Sequence, residues 1–331
     1  MNNERGFALL AVMLVMTLLA IVVTELAMSM RLEASMVRSY KDVTLATHLA
    51  EAAVQQASRE ILGPGNIEGL DEDGTLSFYR SVGTSALLVK LSRMPRRHVP
   101  LGAGEFSYRI SDEEARLNLN TAPPDRVDRL LTALGLDKQA RDIIDDSLQD
   151  WKDANDLSRL NGAESEDFYL KLPVPYRARN GALQDTAELL QIRGITREIY
   201  RGEKGHPALA DLITVVGRNT VNMNTAPAPV LKALGLSDAE ITEITQTRAK
   251  TPYPNVGRFG GRGVGVGSAT FRIEAEGLIA GEPRARIVAI VQRRSGPSAA
   301  TPRPTGAVRS TTGPATPPLG VATLSWRLAE P

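Results

Sequence analysis

The sequence predicts an α+β fold: a long N-terminal helix packed on an antiparallel sheet, with a large, mainly α-helical unit inserted between the strands. Three observations predict it. Residues 7–62 contain no glycine or proline and keep apolar residues at helical spacing. Segments 104–111, 269–279 and 284–294 alternate apolar and polar residues in the manner of half-buried strands. Between the first strand and the other two, residues 112–240 read as apolar-periodic helices joined by tight turns.

The chain has 331 residues, of which 42% are hydrophobic and 23% charged, enough to bury one large or two modest cores. Its 39 basic and 38 acidic residues give a net charge of +1, so no global attraction to nucleic acid or anionic lipid follows. Cysteine is absent, which excludes disulfides, thiol catalysis and zinc-thiolate sites. The three histidines, His48, His98 and His206, lie far apart in sequence, and no Gly-x-Ser-x-Gly elbow is present. These absences point away from an enzyme and toward a structural or binding role.

The first element opens with MNNERG and continues FALLAVMLVMTLLAIVVTELA. Phe7 to Thr24 carries no charge, and at about 1.5 Å per residue the run is long enough to cross a hydrocarbon layer. No small-residue cleavage site follows it, so it does not read as a disposable signal peptide. The helix continues instead as an amphipathic segment with a stripe of Met36, Tyr40, Val43, Ala50, Val54, Ala57 and Ile61, and Gly63-Pro64-Gly65 stops it. Met36, Tyr40 and Val43 are expected beneath the sheet or against neighbouring stems.

Arg5-Gly6 before Phe7, the unbroken apolar stretch and the amphipathic extension resemble a type IV pilin or pseudopilin precursor. The resemblance implies a leader of residues 1–6, cleavage by prepilin peptidase between Gly6 and Phe7, and methylation of the new N-terminus at Phe7. The family usually carries Glu at the fifth mature position, where this chain has Ala11. Among type II secretion pseudopilins, that absence is the habit of the K-type minor pseudopilin, assigned to the filament tip. A subunit with no neighbour ahead needs no carboxylate to pair with that neighbour's ammonium group.

The next elements carry an internal echo. ISDEEARLNLNTAPPDRVDRLLTALGLD (110–137) is repeated as TVVGRNTVNMNTAPAPVLKALGLSDAE (214–240), each copy running from Asn-x-Asn-Thr-Ala-Pro to Leu-Gly-Leu. Each reads as a short extended stretch, a turn in which Asn and Thr bond backbone, and a helix closed by glycine. The intervening DKQARDIIDDSLQDW and DTAELLQIRGITREIYR also read as helices. Such helix-turn-helix pairs are similar to helix-hairpin-helix or SAM-like modules, and a membrane-anchored nucleic-acid binder is the rival reading. Against it, residues 137–156 are crowded with aspartate, which repels phosphate. The K-type pseudopilin resemblance accounts for the helices as an insert in a pilin-like sheet.

Residues 149–181, QDWKDANDLSRLNGAESEDFYLKLPVPYRARNG, are the densest polar stretch. Asp150, Asp153, Asn155, Asp156, Glu164, Glu166 and Asp167 offer hard oxygen donors suited to Ca²⁺, although the spacing is not that of an EF-hand. On the residues alone, a solvated acidic turn with Asp150 or Asp153 capping a helix is the favoured reading over a metal site. The order Asp150-Trp151-Lys152-Asp153-Ala154-Asn155, Gly162-Ala163-Glu164, Pro175-Tyr176 and Arg179-Asn180-Gly181 resembles motifs of K-type pseudopilins. The resemblance implies Ca²⁺ held by Asp150, Asp153, Asn155 and Glu164, with Asp156 in reserve.

Strands 269–279 and 284–294 form a hairpin around Ala280-Gly281-Glu282-Pro283, and VATLSWRLAE supplies the last strand. The glycine-rich stretch 260–267 lacks a strand-then-helix frame and is read as a loop, not a dinucleotide site. The chain thus divides into a leader (1–6), a transmembrane and stem helix (7–62), the first part of the sheet domain (63–111) and the helical insert (112–240). The sheet resumes at 241–294, a disordered proline-rich loop follows at 295–319, and a final strand closes the chain at 320–331. The resemblance further implies a single-pass inner-membrane subunit with a periplasmic head, whose partners are the I- and J-type minor pseudopilins, the inner-membrane secretion assembly and prepilin peptidase. A minor pilin of a type IV pilus is the alternative within the same class.

Overall fold

The computed structural model describes residues 3–82, 87–202, 207–294 and 320–329, with the side chains described from residue 7 onward. His206 and the proline-rich segment 295–319 lie outside the described residues. Helix α1 runs unbroken from Asn3 to Ile61, roughly 90 Å at the usual rise. Thr17, Thr24, Thr44 and Thr47 each return their hydroxyl to a carbonyl one turn earlier, which satisfies the group without water. After Ile61 the amides of Leu62 and Gly63 close the last turn onto Ser58 and Glu60, and Pro64 prevents continuation.

Strands β1 (Ile67–Leu70), β2 (Leu76–Ser81) and β3 (Leu88–Lys90) form a small antiparallel sheet. The main sheet holds β4 (Val99–Leu101) and β5 (Gly104–Asp112). The chain then leaves this sheet for the helical unit. Short β6 (Leu117–Asn118) leads into α2 (Pro124–Ala133) and α3 (Lys138–Lys152). Next come α4 (Arg197–Arg201), α5 (Leu209–Leu212), β7 (Ile213–Thr214) and β8 (Val221–Asn222). Helices α6 (Ala228–Ala233) and α7 (Asp238–Arg248) and strand β9 (Val264–Gly265) complete the unit. The main sheet resumes with β10 (Thr270–Ile279), β11 (Glu282–Arg294) and β12 (Gly320–Ala329). Its order is β12-β11-β10-β5-β4, antiparallel throughout. The three alternating segments form β5, β10 and β11, and the hairpin turns at Ala280-Gly281.

Only the last quarter of α1 packs on this sheet. Ala46, Ala50, Ala53 and Ala57 are fully buried, and with Leu49, Val54 and Ile61 they cover β5, β10 and β11. The alanines recur at the three- and four-residue spacing that lines one helix face, and their small side chains bring the backbones close. At Gly277 a Cβ would sit 1.8 Å from the carbonyl oxygen of Ala46, so no other residue fits there without moving the helix. Met36, Tyr40 and Val43 do not lie beneath the sheet: they are 61%, 77% and 45% exposed, because the helix meets its head only from Leu45.

The inserted unit has its own core around Leu130, Leu131, Ile144, Leu148, Trp151, Tyr169, Leu189 and Met223. Ile241, Ile244, Phe259 and Val264 belong to it, so the unit extends past residue 240 and the main sheet resumes at Thr270. Part of the glycine-rich stretch read as a loop is β9, paired in parallel with β8. The helix expected over DTAELLQIRGITREIYR is instead a 3₁₀ segment, Thr186–Gln191, and the short α4, parted where the chain turns at Gly194.

The sequence echo is a duplicated corner. Asn118 Oδ1 accepts the Asn120 amide at 3.0 Å, and Asn222 Oδ1 accepts that of Asn224 at 3.0 Å. Asn120 Nδ2 donates to the carbonyls of Leu183 and Val215, while Asn224 Nδ2 donates to those of Tyr253 and Val266. Each following helix ends at a glycine with positive φ, Gly135 at 82° and Gly235 at 81°.

Candidate functional site

The acidic segment begins at the end of α3. Asp150 is fully buried, and Asp153 forms the C-cap. One guanidinium joins them: Arg159 Nη1 donates to Asp150 Oδ1 at 2.6 Å and to Asp153 Oδ2 at 2.7 Å. The Arg159 amide also points at the Asp150 carboxylate, 3.1 Å from Oδ2. The loop wraps Asp150 so closely that a Cβ on Gly162 would lie 1.9 Å from its Oδ2. Trp151 and Tyr169 meet edge to face at 5.3 Å behind it and give the loop a rigid backing.

Glu164 is 1% exposed, yet neither carboxylate oxygen has a hydrogen-bond partner. Burial, reinforced by the charge of Asp150 and then of Asp153 and Asp156, pushes its pKa up to about 7. Asn155 turns back on Asp153, donating from Nδ2 to Oδ1 at 2.7 Å. Asp156 accepts from Asn180 Nδ2 at 2.9 Å. Glu166 and Asp167 face elsewhere: the former pairs with Arg177, the latter accepts from Ser158 and from the Glu164 amide. Of the expected ligands, Asp150 and Asp153 thus share a cation, Glu164 lies under their field, and Asn155 and Asp156 are tied into the loop. Among the described residues, no three Asp, Glu or His side chains converge as a ready metal cage.

Arg159 was not legible as part of this cluster, because a lone base in an acidic run carries no spacing signal. Sequence reasoning also missed the acidic triplet Asp112-Glu113-Glu114, where the chain passes from β5 into the inserted unit. Asp112 is buried and accepts from Asn222 Nδ2 (2.9 Å), Ser268 Oγ (2.7 Å) and Thr225 Oγ1 (2.5 Å). Burial raises its pKa despite those donors. Glu113 accepts two bonds from Arg272 at 2.9 and 3.0 Å and pairs with Arg116. Burial opposes its ionisation, but Arg272 and Arg116 outweigh it and hold the group below its ordinary value. Glu114 accepts from Thr270 Oγ1 at 2.9 Å. Beside them, fully buried Glu68 accepts the Ser268 amide at 2.8 Å and pairs with Arg293 at 3.1 Å. Burial, then the charge of Asp112, pushes Glu68 up to about 8. The run of three acids at a strand end was the available signal.

The remaining surface of note is α1 itself. Phe7 is 76% exposed, and large apolar side chains stay exposed on every face of the helix down to Val43. Phe7 to Ile61 is long and apolar enough to cross a membrane. Gly6 and Phe7 lie inside the continuous helix. On the sheet, α1 leaves β12 uncovered, and Trp326 (43%) and Leu328 (66%) are exposed beside Ala289 and Ile287.

Residues 110–207 and 221–277 match two family models, both described as type II secretion system protein K. The chain is 29% identical over 282 residues to type II secretion system protein K of Pectobacterium carotovorum, covering 78% of this chain and 77% of that one. It is 27% identical over 275 residues to the protein K of Klebsiella pneumoniae, covering 78% and 79%. The fold is similar to a chain in the solved GspK-GspI-GspJ complex from the type 2 secretion system of enterotoxigenic Escherichia coli. The TM-score is 0.59 at 16% identity, covering 90% of this chain and all of that one. Both matched segments, the two corners and the long stem helix on a pilin-like sheet make the chain similar to type II secretion system protein K, the K-type minor pseudopilins.

Proposed function

We propose that this minor pseudopilin is anchored in the inner membrane by the first half of α1, with its head in the periplasm, and sits at the tip of the pseudopilus. There it initiates filament assembly and aids the export of folded proteins, as a structural subunit rather than a catalyst. The observation that carries this reading is the division of α1: exposed before Leu45, with an uncharged apolar run from Phe7 to Thr24, and packed on its own sheet after it. In lipid, such a helix gains by close packing with other helices rather than by escaping water. Prepilin peptidase cuts between Gly6 and Phe7, and Phe7 becomes the methylated N-terminus. The I- and J-type minor pseudopilins, the companions in the complex of the similar Escherichia coli chain, are the partners of this stem and of the uncovered face at Trp326 and Leu328.

The tip position rests on geometry. Gly277 faces Ala46, where α1 enters the head, whereas the inserted unit departs after Asp112 and returns at Thr270, the opposite end of those strands. A bulky unit at the end remote from the stem obstructs a further subunit above it. The test is co-purification from detergent with tagged I- and J-type partners. The full chain retains them, and a variant with Val12, Val15 and Leu19 changed to Ser loses them. Equal retention by both sinks the assembly role of the stem.

Ca²⁺ is the proposed ligand of Asp150, Asp153, Asn155 and Glu164, with Asp156 in reserve. The donors suit it: hard carboxylate and amide oxygens, one of them a buried carboxylate with no partner of its own. Bound there, the ion supplies a positive clamp between the end of α3 and the loop at Glu164. Calorimetric titration of the full chain with Ca²⁺ checks it, and neither heat nor a thermal shift overturns it.

A further inference from the structure

We propose that Arg159 is a resident counter-ion that competes with Ca²⁺ for Asp150 and Asp153, so that the loop is latched either by the guanidinium or by the metal. The inference rests on the calcium reading above. Three features of the loop support it. Arg159 holds one oxygen of each aspartate through the same nitrogen, at 2.6 and 2.7 Å, which is where a shared cation stands. The side chain is 41% exposed while Asp150 is fully buried, so the arginine can swing into water and the carboxylate cannot. Glu164, buried with both oxygens unpartnered, is the group that the single positive charge leaves unmet.

Charge decides the exchange. Asp150 and Asp153, and Glu164 once a cation has drawn off its proton, offer three negative charges against one from Arg159. The other nearby bases are occupied: Lys152 donates to the Leu119 carbonyl, Arg177 pairs with Glu166, and Arg193 donates to the Gly162 carbonyl and lies over the Phe168 ring. A divalent ion neutralises the three acids better than one guanidinium, and the two cations repel if both stay.

The test is calorimetric Ca²⁺ titration of the full chain in detergent, as wild type, Arg159→Gln, Arg159→Lys and Glu164→Gln. Removing the competing charge makes Arg159→Gln bind roughly ten- to a hundredfold tighter than wild type, the scale of one unit charge at ion-pair distance in a partly solvated site. Arg159→Lys stays near wild type. Glu164→Gln loses binding while its metal-free melting temperature holds or rises. Without metal, Arg159→Gln melts below wild type, and Ca²⁺ restores it, which also reports that the variant is folded. If wild type binds but Arg159→Gln binds equally or more weakly, Arg159 is no competitor and the inference fails. If wild type itself gives no heat, the calcium reading fails first.

Discussion

Replacing Gly277 with Ala adds one methyl group at the place where α1 and β10 come closest. Its Cβ would lie 1.8 Å from the Ala46 carbonyl oxygen, 2.6 Å from the Ala46 carbonyl carbon and 2.9 Å from its Cα. All three are helix backbone, so no side-chain rotation relieves the clash. The helix must lift by roughly 1.5 Å, a gap at which dispersion contacts forfeit half or more of their attraction. The loss falls on the seam of Ala46, Ala50, Ala53 and Ala57, all fully buried, and on Leu49 and Val54 beside it. Overpacking of this kind costs about 3 kcal/mol. At roughly 1.5 °C per kcal/mol for a chain of this size, the melting temperature falls by about 5 °C. Thermal unfolding of the full chain in detergent, followed by near-ultraviolet circular dichroism, measures it. Gly277 is not among the glycines with positive φ, so the loss reports the clash with the helix and not a lost backbone conformation. A Gly277→Ala variant that melts within 1 °C of wild type (about 0.7 kcal/mol) refutes the close helix-to-sheet approach.

The duplicated corners differ in what their first asparagine touches, and so in cost. Asn222→Ala removes a donor from the buried Asp112 carboxylate and destabilises by about 3 kcal/mol, whereas Asn118→Ala, whose amide donates only to the Gly217 carbonyl, costs about 1.5 kcal/mol. Chemical denaturation of both variants checks the ranking, and equal losses contradict it. Glu68 gives a pH dependence. Its pKa rises from 4.5 to about 8 on folding, so the folded state holds an extra proton between those values. Its stabilisation is complete below pH 4.5 and is lost as pH rises through 8. Stability profiles of wild type and Glu68→Gln therefore converge in acid, separate in favour of the variant between pH 4.5 and about 8, and hold that gap above it; profiles parallel across the window refute the assignment.

The long helix and the main strands were legible because each rests on periodicity over many residues. Helical spacing in 7–62 and alternation in 104–111 and 269–294 survive without tertiary information. The echo at Asn118 and Asn222 was equally legible, since the same side-chain-to-backbone bonds recur in both copies. Features fixed by distant partners were not. The place where α1 leaves its head depends on Gly277, more than 200 residues away, so Met36 and Tyr40 could not be separated from Ala50 by spacing. The helix expected over 186–201 failed because Gly194 turns the chain and short segments draw their conformation from packing. At the acidic loop the donor residues could be read, but the cation that unites them could not. Arg159 reaches back across a loop, a contact that no spacing rule encodes.

That the apolar half of α1 stays on the mature protein, freed only of its leader, can be tested at a single bond. N-terminal sequencing and intact mass of the protein from membranes of cells with and without prepilin peptidase read it directly. The expected product begins at Phe7, carries one added methyl group, and reverts to an uncut Met1 form when the peptidase is absent. A mature chain beginning beyond Ala20, or the same N-terminus in both strains, contradicts the retained stem and the assembly role built on it.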